Sequence, residues 1–219
     1  MIVLENISKV YGKNKFIALS NINLKINEGD FLSITGHSGS GKSTLMNILG
    51  TLDHPTRGKI YIDGANLKAM TKSKLAAFRN KKIGFVFQNY NLIDSLTVLK
   101  NIELVLIYSG IPKNERDFMV KKALLEVSLL DKENAYPFEL SGGQKQRIGL
   151  ARAIVNKPKI ILADEPSGNL DPENSTKIME LLKKLNEQGQ TIVMVTHNLE
   201  TTKYGNKIIS IENGEINNN

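Results

Sequence analysis

A loop rich in glycine and serine follows a short apolar run and constrains the fold more than any other feature of the chain. Phe31 to Thr35 has the composition of a buried strand, and a helix is expected within Lys42 to Leu49. Strand, loop and helix in this order are typical of a site where the backbone wraps a phosphate group. The residues concerned are Gly36, His37, Ser38, Gly39, Ser40, Gly41, Lys42, Ser43 and Thr44.

The residue types in this loop suit the phosphates of a nucleotide. Glycines let the backbone approach the β-phosphate without a side chain in the way. Lys42 is expected to meet the β- and γ-phosphate oxygens, and the Ser43 hydroxyl is expected to bind Mg²⁺. The loop therefore predicts a nucleotide site.

The overall composition is that of one globular domain. The chain has 219 residues, of which 41% are hydrophobic and 23% are charged, and these are not the values of a disordered chain. It has no cysteine, which excludes a disulfide framework or a thiolate metal site and suits a reducing cytosol. We expect neither a signal peptide nor a membrane span, because no apolar run has the required length and flanks.

The formal net charge of +7 raises the question of an anionic partner. A cluster of basic side chains could face phosphates or anionic lipid. The plainer interpretation, which we favour, is the solvated face of a helix followed by a loop. The cluster consists of Lys72, Lys74, Arg79, Lys81 and Lys82.

The order of apolar runs predicts an α/β fold with two lobes. Strand-like runs at both ends of the chain are expected to be antiparallel, and buried apolar strands lie between them. A helical segment from about Thr97 to Val127 interrupts the strands, and Pro112 breaks it. The segment from Glu173 to Glu187 has the apolar spacing of an amphipathic helix, with Asp171 as its N-cap.

Two acidic residues end a buried strand late in the chain. Ile160 to Ala163 is apolar, and Asp164 and Glu165 follow it directly. At such a position an aspartate can orient Mg²⁺ through water, and the next carboxylate can act as general base on the attacking water. The alternative is a pair of acidic residues that merely caps a loop.

Two further polar residues follow predicted strands. Gln88 comes after Ile83 to Phe87, and its amide could reach both a metal ion and the attacking water. His197 comes after Thr191 to Thr196 and could donate a hydrogen bond to a γ-phosphate. The carboxyl ends of parallel strands gather at the ligand crevice, although a single polar residue after a strand is more often simply a satisfied polar group.

A second anion site is predicted where Leu140 and Ser141 are followed by Gly142, Gly143 and Gln144. The segment Gln144 to Ile154 is expected to be a helix, so bare backbone N–H groups and the positive end of a helix dipole would face an anion. The chain already has one phosphate loop. The question is whose phosphate the second site holds.

Together these motifs resemble the ATP-binding subunit of an ATP-binding cassette (ABC) transporter. Tyr11 is similar to the aromatic residue that stacks on adenine, residues 36–44 resemble the Walker A motif, and Gln88 resembles the Q-loop. Residues 140–144 match the signature, 160–165 the Walker B motif with its catalytic glutamate, 167–171 the D-loop, and His197 the switch histidine. The motifs occur in the family's order.

The resemblance implies a P-loop NTPase of the ABC-ATPase type: a RecA-like core with an antiparallel β subdomain and an inserted helical subdomain. The chain would be one domain, 1–219, with its core in residues 1–88 and 155–219 and the helical subdomain at about 89–154. ATP is the implied substrate and Mg²⁺ the implied cofactor. Catalysis would depend on Lys42, Gln88, Glu165 and His197, and the metal would be held by Ser43, Gln88 and, through water, Asp164.

The resemblance also implies partners. Two copies would pair head to tail on ATP binding, with the nucleotide of one copy meeting Ser141, Gly142, Gly143, Gln144 and Asp171 of the other. The other partner would be an integral membrane permease, which places the chain in the cytoplasm at the inner face of the cell membrane. We expect no nucleic-acid partner.

Two segments, 83–93 and 162–171, resemble the macrolide-exporter and lipoprotein-release branch, which moves peptides, lipoproteins or drugs. In that branch the stretch after Gln88 docks the membrane partner. One interpretation is that four residues of that stretch form an exposed apolar groove. The other is that they belong to the core of the helical lobe. The residues concerned are Tyr90, Leu92, Ile93 and Leu96.

Other assignments remain open. The related ATPase of cell division shares much of the pattern, and a nucleic-acid-associated ABC ATPase is the alternative from a different class. Long coiled coils would be expected in the latter, and the chain has no sustained heptads. A nucleotide-binding kinase would leave the signature and His197 without a role. Small departures from the family pattern occur at His37, Ser167 and Asn198, and none removes a catalytic group.

Overall fold

The computed structural model describes residues 1–12 and 15–217 and consists of two sheets and several helices. The strands are β1 (Ile2–Tyr11), β2 (Phe16–Ile26), β3 (Phe31–Thr35), β4 (Arg57–Ile62), β5 (Ala65–Asn66), β6 (Ile83–Phe87), β7 (Ile160–Asp164), β8 (Thr191–Val195), β9 (Lys207–Glu212) and β10 (Glu215–Asn217). The α-helices are α1 (Lys42–Leu49), α2 (Lys72–Lys82), α3 (Val98–Tyr108), α4 (Lys113–Glu126), α5 (Gly142–Ile154) and α6 (Pro172–Glu187).

The larger sheet has six strands in the order β10-β9-β3-β8-β7-β6. All neighbours run parallel except β10, which is antiparallel to β9. The central strands are continuous apolar runs because both faces are covered. Along β8, Ile192 and Met194 enter one core, whereas Val193 and Val195 enter another on the opposite face.

The smaller sheet is antiparallel, in the order β2-β1-β4-β5, and shares its core with the phosphate-loop helix. Ile2, Leu4 and Ile26 of this sheet are buried in one cluster with Leu45 and Leu49 of α1. This packing fixes β1, and with it Tyr11, relative to the helix that follows the loop.

Helices α3, α4 and α5 lie between β6 and β7 in the chain and share the second core. Val98, Ile102, Val120 and Ile148 are all fully buried there. Helix α5 lies close against β6 at Gly84, where a Cβ atom would collide with the carbonyl oxygen of Ala153. The division of the chain at residues 88 and 155 stays a prediction.

The basic cluster differs in one respect from the expected helix followed by a loop. Helix α2 continues to Lys82 and β6 begins at the next residue, so no loop separates them. Arg79 donates to the carbonyl oxygen of Thr51 at 3.2 Å, and Lys82 pairs with Asp63 at 2.7 Å. These two cations therefore contact the protein itself.

Helix α5 begins two residues earlier than its predicted start at Gln144. Ser141 is its N-cap, and the glycine pair forms part of its first turn. A capping box formed by Ser141 and Gln144 stabilises this earlier start. Within the described residues, no helix combines the length and apolarity needed to cross a bilayer.

Candidate active site

The loop between β3 and α1 folds back on itself in a way that requires glycine. Gly36 has a φ of +142° and Gly41 a φ of +112°, which are backbone conformations that other residues rarely adopt. A Cβ atom on Gly41 would lie 2.6 Å from the carbonyl oxygen of Ala18. The loop therefore packs its backbone closely on β2 and on the end of β9, where Gly36 meets the Ile211 carbonyl.

Lys42 lies within the curve of this loop. Its ammonium donates to the carbonyl oxygens of Gly36, at 2.9 Å, and His37, at 2.8 Å, and the residue is buried. No side chain caps the N-terminus of α1, and no acidic residue lies in its first turn. The backbone N–H groups and the positive end of the helix are thus left for an anion.

Asp164 and Glu165 lie at the carboxyl end of β7, as predicted. Burial and then the neighbouring charge of Glu165 raise the pKa of Asp164, whereas the positive charge of Lys42 opposes that rise. Glu165 has a φ of +46°, an uncommon conformation for a residue with a side chain. Its N–H donates to the Val195 carbonyl at 2.9 Å, which ties this turn to β8.

The carboxylate of Glu165 contacts the imidazole of His197 through Oε2 and Nδ1. The glutamate side chain is largely buried, and the histidine is exposed. The imidazole ring orients the carboxylate of Glu165, which lies at the same edge of the sheet as the phosphate loop. The two residues form a pair that could accept a proton from water and hold an anion nearby.

Asn169 of the D-loop (residues 167–171) holds Gln88 near Glu165. Its amide nitrogen donates to Asn169 Oδ1 at 3.3 Å, and Asn169 donates in return to the Gln88 carbonyl oxygen at 3.3 Å. Gly168 separates Gln88 from Glu165: a Cβ atom there would lie 2.9 Å from Gln88 Nε2 and 3.3 Å from Glu165 Oε2. Sequence reasoning did not single out Asn169, whose partners lie about eighty residues away in the chain.

The signature residues cap their own helix. Ser141 Oγ accepts from the Gln144 N–H at 3.3 Å, and Gln144 Oε1 accepts from the Ser141 N–H at 2.9 Å. Gly143 packs so closely on Asn174 that a Cβ atom would overlap its side chain. Asn174 is itself held by Asp171, whose carboxylate accepts from its amide at 2.7 Å. Hydrogen bonds from the side-chain amide and the backbone N–H of Asn174 hold the pKa of Asp171 below its usual value.

The signature and the phosphate loop do not meet within the chain. Among residues 1–12 and 15–217, no hydrogen bond or ion pair joins Ser141, Gly142, Gly143, Gln144 or Asp171 to residues 36–44. Gly142 instead lies beside the stretch after Gln88, where the Tyr90 hydroxyl faces it, and Gly143 packs on Asn174. The second predicted anion site is therefore separate from the first.

Arg152 of α5 was also missed from sequence. Its guanidinium donates to the carbonyl oxygens of Tyr90, at 2.8 Å, and Asn91. Both of these residues have positive φ values, 61° and 50°, so the arginine holds a strained turn directly after Gln88. The signature helix and the Q-loop are thus connected by side-chain contacts.

Comparison with known proteins gives the family. The family model described as ABC transporter matches residues 19–168, well over half of the chain. The chain belongs to the ABC transporter family. It is 52% identical to an uncharacterised ABC transporter ATP-binding protein, MJ1508, of Methanocaldococcus jannaschii, over 99% of this chain and 97% of that protein. It is 47% identical, over 94% of its length, to the macrolide export ATP-binding/permease protein MacB of Aggregatibacter actinomycetemcomitans, and spans 32% of it.

A solved relative gives the fold and the class of enzyme. The ATP-binding cassette MJ0796, in a dimeric post-hydrolysis state bound to ADP and Pi, aligns with a TM-score of 0.91 at 46% identity, covering 100% of this chain and 97% of that one. The predicted P-loop NTPase fold of the ABC-ATPase type is thereby confirmed, as is the resemblance to the macrolide-exporter branch. The chain is an ABC ATP-binding subunit, and its ATP hydrolysis is coupled to transport.

The oxygen atoms that the ABC subunit offers near its loop fit Mg²⁺. Ser43 supplies a hydroxyl, Gln88 an amide oxygen and Asp164 a carboxylate, and oxygen ligands are those that Mg²⁺ prefers. The described residues contain no cluster of three or more histidine, cysteine or acidic side chains of the kind that cages a metal alone. A single carboxylate with neutral oxygens suits an ion held largely by phosphates and water.

A separate groove lies between α2, β6 and α3, with a volume of about 670 Å³. Ile93, which is 46% exposed, lines it together with Ala76, Leu104, Val105 and Tyr108. The predicted apolar groove therefore exists, but only one of the four residues assigned to it takes part. Leu92 packs instead against the buried core of α3 to α5, and the Tyr90 hydroxyl faces the signature.

We predict that Gly168→Ala lowers the turnover of ATP by about tenfold or more. The added methyl group would push apart Gln88 and Glu165, whose side-chain ends lie 2.9 and 3.3 Å from it. Because those ends can move, the free energy of unfolding should stay nearly constant. The measurements are the ATPase rate at saturating ATP and a denaturant unfolding curve.

Gly149→Ala is the matched control, since its methyl group would make only an ordinary contact of 3.7 Å with the Tyr90 carbonyl oxygen. It should leave the rate unchanged. Equal rates for the parent chain and Gly168→Ala would show that the close approach at this glycine does not matter.

Proposed function

We propose that two copies of this chain bind two ATP molecules between them, head to tail, and drive a separate membrane subunit. The observation that carries the proposal is the separation of the signature from the phosphate loop in the same chain. Ser141 and the glycine pair present a helix N-terminus with no phosphate of their own to bind. A second copy, facing the opposite way, supplies that phosphate. Dimeric structures of the relative MJ0796 support this arrangement.

Each site would combine residues of both copies. Lys42 and the loop N–H groups would hold the β- and γ-phosphates, and Ser43, Gln88 and, through water, Asp164 would hold Mg²⁺, which would supply charge neutralisation at the phosphates. Glu165 accepts a proton from the attacking water, with its carboxylate oriented by His197. Gln88 positions the water, and Tyr11 stacks on adenine. Ser141, Gly142, Gly143, Gln144 and Asp171 act on the partner copy's nucleotide.

ATP would shift the dimer towards its closed form because its phosphates are part of the interface. A ligand changes a conformational equilibrium only when it binds one state better than the other. In the closed form the γ-phosphate gains the signature contacts, and after hydrolysis and phosphate release those contacts are gone. Closure and reopening would then move whatever is docked on the cassette.

The docked partner is proposed to be an integral membrane permease seated in the groove of Ile93. The groove is mostly apolar, and it is lined by Asn91, three residues after Gln88, and by Arg152, which donates to the Asn91 carbonyl oxygen, so it is connected to the stretch that follows Gln88. The similarity to MacB, whose name joins an ATP-binding and a permease function, favours export or extraction of peptides, lipoproteins or drugs. The chain would then be cytoplasmic and lie at the inner face of the cell membrane.

Glu165→Gln is predicted to retain ATP binding, nearly abolish turnover and accumulate as a dimer when ATP is present. The amide keeps the shape of the side chain but cannot accept the proton, so the closed state persists. Size-exclusion chromatography in millimolar ATP should show the dimer, and without ATP the monomer. A second substitution, Lys42→Ala, should abolish the dimer. Only monomer for Glu165→Gln at millimolar ATP would contradict the proposed arrangement.

Ile93→Glu is predicted to release the chain from its membrane partner. A charged side chain in the groove would have to be desolvated on docking. The fraction of chain that sediments with membranes of the native cells should fall, without a change in melting temperature.

Ile208→Glu is the control for this substitution, because Ile208 is similarly exposed, at 58%, but lies on β9 outside the groove. Its membrane fraction should match that of the parent chain. An equal loss of the membrane-bound fraction for both variants, or no loss for either variant, would contradict docking at this groove.

A further inference from the structure

The end of β1 contacts the segment that follows the phosphate-loop helix. The Tyr11 hydroxyl donates to Asp53 Oδ2 at 2.6 Å, across forty-two positions in the chain. The tyrosine is 38% exposed, so part of its ring faces outwards. Its hydroxyl is nevertheless engaged, and the ring is held from its far end.

Lys9 fixes the same tyrosine from another direction. Its ammonium pairs with Asp53 Oδ1 at 2.5 Å and donates to the His54 carbonyl oxygen at 2.7 Å. It also lies 4.7 Å from the centroid of the Tyr11 ring. Residues two apart on a strand share a face, which is why lysine and tyrosine meet. A cation thus lies over one face of the ring, and the exposed part of the ring remains for a ligand.

Asp53 belongs to a segment that is bound to both neighbours of the site. The N–H groups of Leu52 and Asp53 donate to the Asn47 carbonyl oxygen of α1 at 2.9 and 3.2 Å. Thr56 donates its N–H to Ser8 of β1 at 2.8 Å, and the Val10 N–H donates to the Thr56 hydroxyl at 3.0 Å. Asp53 therefore connects the helix behind the phosphate loop with the strand that carries Tyr11.

The charges in this cluster support one another. Burial alone would raise the pKa of Asp53. Hydrogen bonds from Lys9 and Tyr11 nevertheless hold the pKa of this carboxyl below its ordinary value. Burial, and then the hydrogen bond to Asp53, raises the pKa of the Tyr11 hydroxyl. At neutral pH the aspartate is an ionised acceptor and the tyrosine a donor.

We propose that Asp53, together with Lys9, is a positioning residue that sets the ring of Tyr11 so that its open face receives the nucleobase at a fixed distance from the phosphate loop. The inference depends on the proposed stacking role of Tyr11 and deepens it. Because the hydroxyl is occupied by Asp53, the ring offers the base a π-face and no hydrogen bond. Stacking of this kind tolerates different bases, so the ligand class at this contact is a nucleoside triphosphate.

Equilibrium binding of two ligands to the full chain tests the proposal: Mg²⁺-ATP and Mg²⁺-tripolyphosphate, which has the phosphates but no base. Tyr11→Ala should weaken the binding of ATP by about tenfold, within the range for loss of one stacked base. Asp53→Ala should weaken the binding of ATP by about threefold or more, since the ring remains but is no longer held. Neither change should affect the binding of tripolyphosphate.

A double-mutant cycle isolates the contact between the two residues. Tyr11→Phe keeps the ring and the Lys9–Asp53 pair and removes only the hydroxyl, so it should weaken ATP binding no more than Asp53→Ala does. The double variant should be no worse than Asp53→Ala alone, because Asp53→Ala already removes that hydrogen bond. Asp53→Asn, which keeps an acceptor for the hydroxyl but loses the charge, should fall between the parent and Asp53→Ala and serves if the alanine variant does not fold.

Asp63→Ala is the matched control, because Asp63 is also a partly exposed carboxylate paired with a lysine, at 2.7 Å, but outside this cluster. It should bind both ligands as the parent does. Equal weakening of ATP and tripolyphosphate by Asp53→Ala would overturn the proposal, since Asp53 would then act through the phosphate loop. Unchanged ATP binding by Asp53→Ala would overturn it as well. Unchanged ATP binding by Tyr11→Ala would overturn the stacking role itself and, with it, the proposal, while leaving the head-to-tail dimer intact.

Discussion

The alignment of four parallel strands is the constraint on which the rest of the site depends. Ile34 of β3, Val195 of β8, Asp164 of β7 and Phe87 of β6 lie side by side in one row across the sheet. Glu165 and Gln88 come directly after two of these positions in the chain, and the phosphate loop and His197 come two residues after the other two. Because the strands end in register, side chains more than a hundred residues apart in sequence reach one edge. A slip of one residue in any strand would turn its functional residue away.

Close packing at two glycines then connects that row of residues with the helical region. Gly168 lets Gln88 and Glu165 come together, and Gly143 lets α5 lie on Asn174 of α6. Arg152 adds a third connection by holding the turn after Gln88. The signature helix, the Q-loop and Glu165 are therefore connected by side-chain contacts. In the proposed function, these contacts would transmit a change at the nucleotide to the groove of Ile93.

The sequence predicted the elements of the core well because their burial shows in composition. The runs at β3, β7 and β8 are apolar on both faces, as strands covered on both sides must be, and the glycine loop has a distinctive order. It also predicted that the polar residues after these strands would meet, since parallel topology requires it. The geometry confirms that Lys42, Glu165, His197 and Gln88 lie along one edge, while their catalytic roles stay predictions.

What the sequence did not show are contacts between segments that have no common pattern. Asp53 lies in an ordinary turn, and only the folded chain reveals that it meets Tyr11 and Lys9. Asn169 and Arg152 likewise act on residues far away in sequence. The early start of α5 follows from a capping box, and the position of Leu92 from the packing of the helical core. Such outcomes depend on which residues tertiary structure places together.

Mixing two inactive variants shows whether each ATP is hydrolysed by residues of two copies. Lys42→Ala removes the phosphate contact in one copy. Ser141→Asp keeps a good N-cap for α5 but places a negative charge where the other copy's phosphate would lie. A mixed dimer contains one site with an intact Lys42 and an intact Ser141. We expect ATPase activity that is absent from either variant alone to return on mixing; activity no greater than the sum of the separate variants would contradict a site shared by two copies.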